Sequence, residues 1–393
     1  GLGDVYKRQG YQISQYELPL AEAGRVDLEY LDEQQGDAGP VRASFRINRI
    51  HLEDDAGKSV HSGSGGTLVN LNRTGVPLIE IVTEADFRSS REAYEFLTYL
   101  RRVLLYLGIC DGNMEEGSLR CDANISVRQK GAKAFGTKTE IKNLNSFRFL
   151  RKALDYEISR QIETLGQGGE IVQETRLWDE EKQVTFPMRS KEEAHDYRYF
   201  PDPDLLPLRV NEEWLEQLEK EIPELPEARR RRFVDELGIP FESAALLTQS
   251  RAYADYFEAA LGHYRQPTQI CNWILGDLTR DLKKNSLEID QSPVSAENLA
   301  DLVRLIDEQV ISGKIAKEVF SKMFKSGKTP EEIIKAEGLR QISSSDALEE
   351  IIDRILEANP EKVQAFRKGK EGLIGFFVGQ VMRETRGQAN PRV

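Results

Sequence analysis

The chain has 393 residues, 39% of them hydrophobic and 31% charged, and carries a formal net charge of −12. That length exceeds one ordinary domain and predicts two or three, while the acidity excludes indiscriminate nucleic-acid binding and leaves room only for local basic tracks. No run approaches the ~18–20 apolar residues of a membrane span, and three widely spaced cysteines with no C-x-x-C pair fit a reducing cytosol better than a disulfide framework.

The first nine residues, GLGDVYKRQ, have neither a signal-peptide core nor an amphipathic pattern and read as a cloning or assembly scar. From Tyr11 to about Pro207 the pattern is strand-rich with two helices inserted. Val41 to Ile47 alternates strictly, with Val41, Ala43, Phe45 and Ile47 on one face. Ser118 to Arg128 alternates too, leaving Arg120, Asp122, Asn124 and Ser126 together opposite Leu119, Cys121, Ala123, Ile125 and Val127. Lys138, Glu140 and Lys142 share a face in the next segment. These are one-sided strands of an antiparallel sheet.

The spacing of Ala93, Phe96, Leu97, Leu100, Leu104 and Leu107 predicts a helix from about Ser89 to Leu107, with serines at its start and Gly108 at its end. A second helix is expected from about Ser146 to Leu165. Glu221 to Pro226 forms a proline-punctuated hinge, and beyond it the pattern is almost wholly helical. Thr329 followed by Pro330 marks a further helix start, and the apolar stretch Gly372 to Met382 reads as a packed helix. The fold class is α+β: an antiparallel-sheet domain over 10–220, a helical domain over 221–328 and a small helical tail over 329–393.

Several stretches carry chemistry. Glu53, Asp54 and Asp55 put three carboxylates in succession within HLEDDAGKSVH, which suits a hard divalent cation; an acidic turn looks the same. Gly57-Lys58-Ser59 lacks the glycine five positions upstream that a P-loop needs, since Leu52 stands there. Glu80 lies inside the apolar strand TGVPLIEIV, on the face of Leu78 and Val82, where a carboxylate needs a cation or a proton. Structural pairing with Arg73 accounts for it equally. Glu115 and Glu116 precede the Arg120–Asp122–Asn124 face, which can clamp a phosphate or carboxylate or simply be solvated. HDYRYFPDPDLLPL offers aromatics beside Arg198 that can stack a base or pack a loop. Arg229 to Arg232, Lys283-Lys284 and Lys368 with Lys370 are candidate basic tracks, or solvated helix faces. The four histidines show no metal-ligand spacing to one another, and no nucleophile elbow is present.

YQISQYELPL, HLEDDAGKSVH, LNRTGVPLIEIVTEADFRS, MEEGSLRCDANISV, GTKTEIKNLNSFRFL, QETRLWDEE and HDYRYFPDPDLLPL, in that order, resemble the B-subunit family of aspartyl/glutamyl-tRNA amidotransferases. The likeness runs from Tyr11 to the ending GFFVGQVMRETRGQANP. The resemblance implies a cytoplasmic ATP-dependent ligase that forms a carbon–nitrogen bond on misacylated Glu-tRNA(Gln) or Asp-tRNA(Asn). ATP phosphorylates the side-chain carboxylate, and ammonia from a glutaminase (amidase) A-subunit displaces phosphate, with a small C-subunit clamping the two. It implies Mg2+ held by Glu53, Asp54 and Glu80, with Glu115 and Glu116 lining the same catalytic cavity. It further implies ATP or substrate contacts from Lys58, Asn72, Arg73, Ser118, Arg120 and Asp122, and tRNA contacts from Lys368, Lys370, Gly372 and Gln380.

The chain departs from that family pattern in three places. The family's N-terminal strand, with a Glu-x-His pair that completes the metal site, is not in this sequence, which enters just before YQISQ; Asp54 stands where a second Glu is usual; and Asn70 stands where the family has Asp. Two rival functions follow: a tRNA-binding scaffold without its own catalysis, and a free-standing carboxylate kinase for small acids. The helical second half counts against the latter, because a small substrate needs no such appendage.

Overall fold

A computed structural model describes residues 14–31, 39–55, 57–61, 67–188, 206–339, 345–385 and 389. The first nine residues and most of HDYRYFPDPDLLPL lie outside the described residues. The chain divides into two compact units, Gly1–Pro223 and Glu224–Val393. Among the described residues no helix is long and apolar enough to cross a membrane.

The first unit is mixed α and β. One sheet has the order β1 (Ala21–Leu31), β2 (Pro40–Asp54), β5 (Pro77–Thr83), all antiparallel. A separate hairpin pairs β3 (Lys58–His61) with β4 (Thr67–Asn70). A second sheet runs β6 (Ala123–Ile125), β7 (Thr139–Lys142), β8 (Thr175–Asp179), β9 (Val184–Pro187).

Within that sheet β7 and β8 are parallel, an exception to the antiparallel expectation. The reason lies between them: a parallel pair needs a long crossover, here the helix α2 (Phe147–Gly166) of 20 residues. The alternation expected over Ser118 to Arg128 survives as burial, with Leu119, Cys121, Ala123 and Ile125 packed inward. Only Ala123–Ile125 is paired as strand.

The two longest helices of this unit begin where a serine can cap them, and a third, Glu212–Glu221, is capped by Asn211. Ser89 accepts from the Glu92 amide at the start of α1 (Ser90–Tyr106), and Ser146 accepts from the Phe149 amide at the start of α2. Gly108, at φ 67°, takes the left-handed turn just beyond α1 that a side chain disfavours.

Two apolar cores hold the unit. Phe45 and Ile47 of β2 pack with Leu28, Tyr30 and Phe96, and Phe87 stacks on Phe45 at 4.5 Å. Ile141, Leu150, Ala153, Leu154 and Trp178 form the second between α2 and its sheet. Each such large side chain contributes about 1.5–3 kcal/mol by leaving water. The outward sheet faces contribute little of that, which leaves them open to polar groups.

The second unit is helical, from Pro226–Asp235 through Ile374–Glu384. Its largest core gathers Phe233, Phe257, Ile270, Leu278, Leu299 and Phe320. Thr329 caps Pro330–Glu337 in a reciprocal capping box with Glu332. The helix Ile374–Glu384 is less packed than its apolar sequence suggests, with Ile374 and Val378 exposed.

Candidate active site

The polar groups of the first unit are aimed by a one-residue irregularity in β2. Ile47 pairs with Thr83 but Arg49 pairs with Val82, so Asn48 is an extra residue relative to β5. Thr83 and Val82 point to opposite faces, and therefore Ile47 and Arg49 do as well. Before the bulge Phe45 and Ile47 face the core; after it Ile50 takes that side with Ile81. His51 and Glu53 consequently turn to the other face, where Glu80 stands directly across from His51.

There the three side chains meet. His51 Nε2 lies 3.1 Å from Glu53 Oε1 and 3.3 Å from Glu80 Oε2. His51 is fully buried, Glu53 nearly so, and Glu80 retains 47% of its side-chain exposure. Ser14 Oγ donates to Glu53 Oε1 at 2.9 Å, and the edge of the Tyr16 ring stands over His51. Burial, and then the adjacent Glu53 charge, raise the pKa of Glu80.

This set fits a divalent cation. One ligand atom from each of His51, Glu53 and Glu80 lies within 4.8 Å of the others. A cation that keeps several waters and binds phosphate oxygens needs only one or two carboxylates from the protein. It also offsets the burial and the Glu53 charge that raise the Glu80 pKa. Among the described residues His51 Nδ1 is buried without a partner, so nothing there fixes the other edge of the ring.

A second constellation begins two residues farther along. Asp55, 8% exposed, accepts from Arg73 Nε at 2.8 Å and from Arg120 Nη2 through the same oxygen, Oδ2. Arg73 Nη1 also donates to the Glu116 carbonyl at 3.3 Å. Arg120 thereby ties the segment leading into β6 to the end of β2. Past it, Lys142 Nζ sits 3.5 Å from Asp122 and 3.7 Å from Glu140. Burial raises the pKa of Asp122, with Lys142 opposing.

A family model for the GatB/GatE catalytic domain matches residues 4–216, and one for the GatB domain matches 255–393. The B-subunit of aspartyl/glutamyl-tRNA(Asn/Gln) amidotransferase from Carboxydothermus hydrogenoformans is 52% identical over 387 residues, covering 98% of this chain and 79% of that protein. The proteins of the same name from Geotalea daltonii and Syntrophotalea carbinolica are 51% and 50% identical, each over 98% of this chain and 80% and 79% of their own length. The chain belongs to the GatB family.

Not every residue that the GatB likeness singles out joins the cluster of His51, Glu53 and Glu80. Asp54 does not join Glu53 and Glu80, because adjacent strand residues face opposite ways and it pairs across from Pro77. Glu80 is half exposed rather than buried in an apolar strand. Glu115 and Glu116 are exposed on a loop shaped by Asn113, whose side-chain oxygen accepts from both their amides. Glu116 meets Arg73 through its carbonyl and not its carboxylate. Ser118 closes the same loop, its amide donating to the Asn113 carbonyl at 2.8 Å. Asn72 is exposed in a turn capped by Asn70. Lys58 pairs with Asn70 in the hairpin, and its side chain lies outside the described residues.

His51 is the site residue that the motif reading passes over, though its i, i+2 spacing from Glu53 puts both on one strand face. In the second unit Gly369, at φ 95°, turns the chain between Lys368 and Lys370, and both lysines and Gly372 are exposed. Gln380 is partly buried on the final helix. Arg229 to Arg232 is no open basic track. Arg229 is buried against Asp255 and Glu258, Arg230 pairs with Glu227, and Arg232 pairs with Glu224 and Glu258. Lys283 and Lys284 end an exposed helix terminus.

Proposed function

We propose that this chain activates the side-chain carboxylate of Glu-tRNA(Gln), Asp-tRNA(Asn) or both, as the B-subunit of a tRNA-dependent amidotransferase. The observation that carries this reading is the meeting of His51, Glu53 and Glu80 on the outward face of β2 and β5. A carboxylate has no viable leaving group, whereas an acyl phosphate does. Its oxygen attacks the γ-phosphorus of ATP, the bond to ADP breaks, and ammonia then attacks the acyl carbon and expels phosphate.

His51, Glu53 and Glu80 would hold Mg2+, which supplies neutralisation of the charge on the phosphoryl oxygens. Arg73 and Arg120 give the guanidinium donors that phosphate oxygens need. Asp54, on the other strand face, has no part in this assignment.

We assign 10–220 to the catalytic domain, 221–328 to the helical domain and 329–393 to the tail. Lys368, Lys370, Gly372 and Gln380 belong to the tRNA-facing tail. The partners are a glutaminase A-subunit and a small C-subunit, in the cytoplasm.

The test is ATP hydrolysis by the assembled complex with Glu-tRNA(Gln) and Asp-tRNA(Asn) supplied separately. Stimulation by at least one is the expected outcome and identifies the substrate. Stimulation by neither would leave a tRNA-binding scaffold.

A further inference from the structure

We infer that Asp55 is a positioning residue, holding Arg73 and Arg120 side by side as one clamp for the polyphosphate of the nucleotide. The inference rests on the reading above that ATP is consumed at this site. Two guanidiniums repel each other, and they share a position here only because one carboxylate oxygen accepts from both. Asp55 is itself nearly buried, and its backbone is fixed at both ends: its amide donates to the Val76 carbonyl at 3.0 Å and its carbonyl accepts from Gly75 at 2.9 Å. The anchor is rigid while the cations it holds are half exposed, Arg73 at 41% and Arg120 at 51%.

Charge counting gives the clamp its ligand class. Two cations and one anion leave a net positive charge. Arg73 Nη2 and Arg120 Nη1 have no hydrogen-bond partner among the described residues, and guanidinium N–H groups match phosphate oxygens. One free nitrogen on each guanidinium leaves no complete fork for a single carboxylate, and two such donors side by side suit the oxygens of successive phosphates. The placement agrees, since Asp55 follows Glu53 by two residues, about 7 Å along an extended chain. A polyphosphate held by the arginines therefore lies within reach of the three-residue cluster.

The test measures equilibrium binding of a non-hydrolysable ATP analogue and of uncharged tRNA to the assembled complex, together with KM for ATP and kcat for amidation. Asp55→Asn keeps the shape and removes the charge, so nucleotide affinity should fall about ten- to a hundredfold, the loss expected when charge-assisted hydrogen bonds are misaligned. KM for ATP should rise more than kcat falls, tRNA affinity should stay level, and Asp55→Glu should recover part of the loss. Arg120→Ala, half exposed and leaving Asp55 paired with Arg73, carries the same expectation should Asp55→Asn fail to fold. Unchanged nucleotide affinity in the folded variants would overturn the inference. So would an equal loss of tRNA affinity, which would mean that the clamp grips RNA phosphates. Glu53→Gln separates the two levels. If it retains ATP-dependent amidation, the reading of the site fails; if it loses amidation while Asp55→Asn binds nucleotide normally, only the role of Asp55 fails.

Discussion

His51 is wholly buried yet its Nε2 stands between two carboxylate oxygens, so it is the hinge of the site at the residue scale. The neighbouring negative charge of Glu53 and the partial burial of Glu80 both favour a proton or a cation there. Glu80→Gln should abolish amide formation while leaving tRNA affinity nearly unchanged, because the lysines proposed to contact tRNA belong to the other unit. Wild-type transamidation in that variant would remove Glu80 from the site. Glu53 is legible in the sequence as one of three successive carboxylates, and Glu80 as an acid set among apolar strand residues. His51 is not, because the four histidines show no ligand spacing to one another, and Asp54 misleads because adjacency in sequence is opposition on a strand.

At the scale of elements the bulge at Asn48 does the aiming. The alternation of Val41 to Ile47 is readable, but its reversal afterwards is not, since neither glycine nor proline marks it. Deleting Asn48 and Arg49 together should hold Ile47 in register and turn His51 and Glu53 toward the core, a turn that deleting Asn48 alone would not make. Loss of ATP-dependent amidation with a lowered melting temperature is expected; full activity would show that the bulge does not set the face.

The same strand is tied to the loop before α1 by Arg46, which donates to Asp86 from its backbone amide and through both sides of its guanidinium. That contact lowers the Asp86 pKa from 3.8 to about 2. The pair therefore contributes stability above about pH 4 and loses it as pH falls toward 2. Asp86→Asn should lower stability at neutral pH and change it almost nothing at the acid end. Denaturant titrations at the two pH values check this, and an equal loss at both would refute the ion pair as its source.

At the scale of the whole molecule, acidity and local basicity are reconciled by internal pairing. The net charge is −12, and the densest arginine run is consumed by its own carboxylates. Exposed cations are left elsewhere, among them Lys368 and Lys370 on either side of Gly369. Truncation before Thr329 should accordingly weaken tRNA binding and spare the activity of the proposed glutaminase partner. Unchanged tRNA affinity would contradict the assignment of the tail. The α+β character of the first unit and the helical character of the second are legible from periodicity. The parallel β7–β8 pair is not, because a crossover helix and a hairpin leave similar strand patterns.

The most direct measurement is titration of the wild-type chain and of Glu80→Gln with Mn2+, followed by loss of the free ion's paramagnetic resonance signal. Binding that weakens at least about tenfold in the variant is the predicted result, since one of two carboxylate donors becomes a neutral amide. Equal Mn2+ affinity in the two proteins would mean that His51, Glu53 and Glu80 pair only with one another and hold no metal.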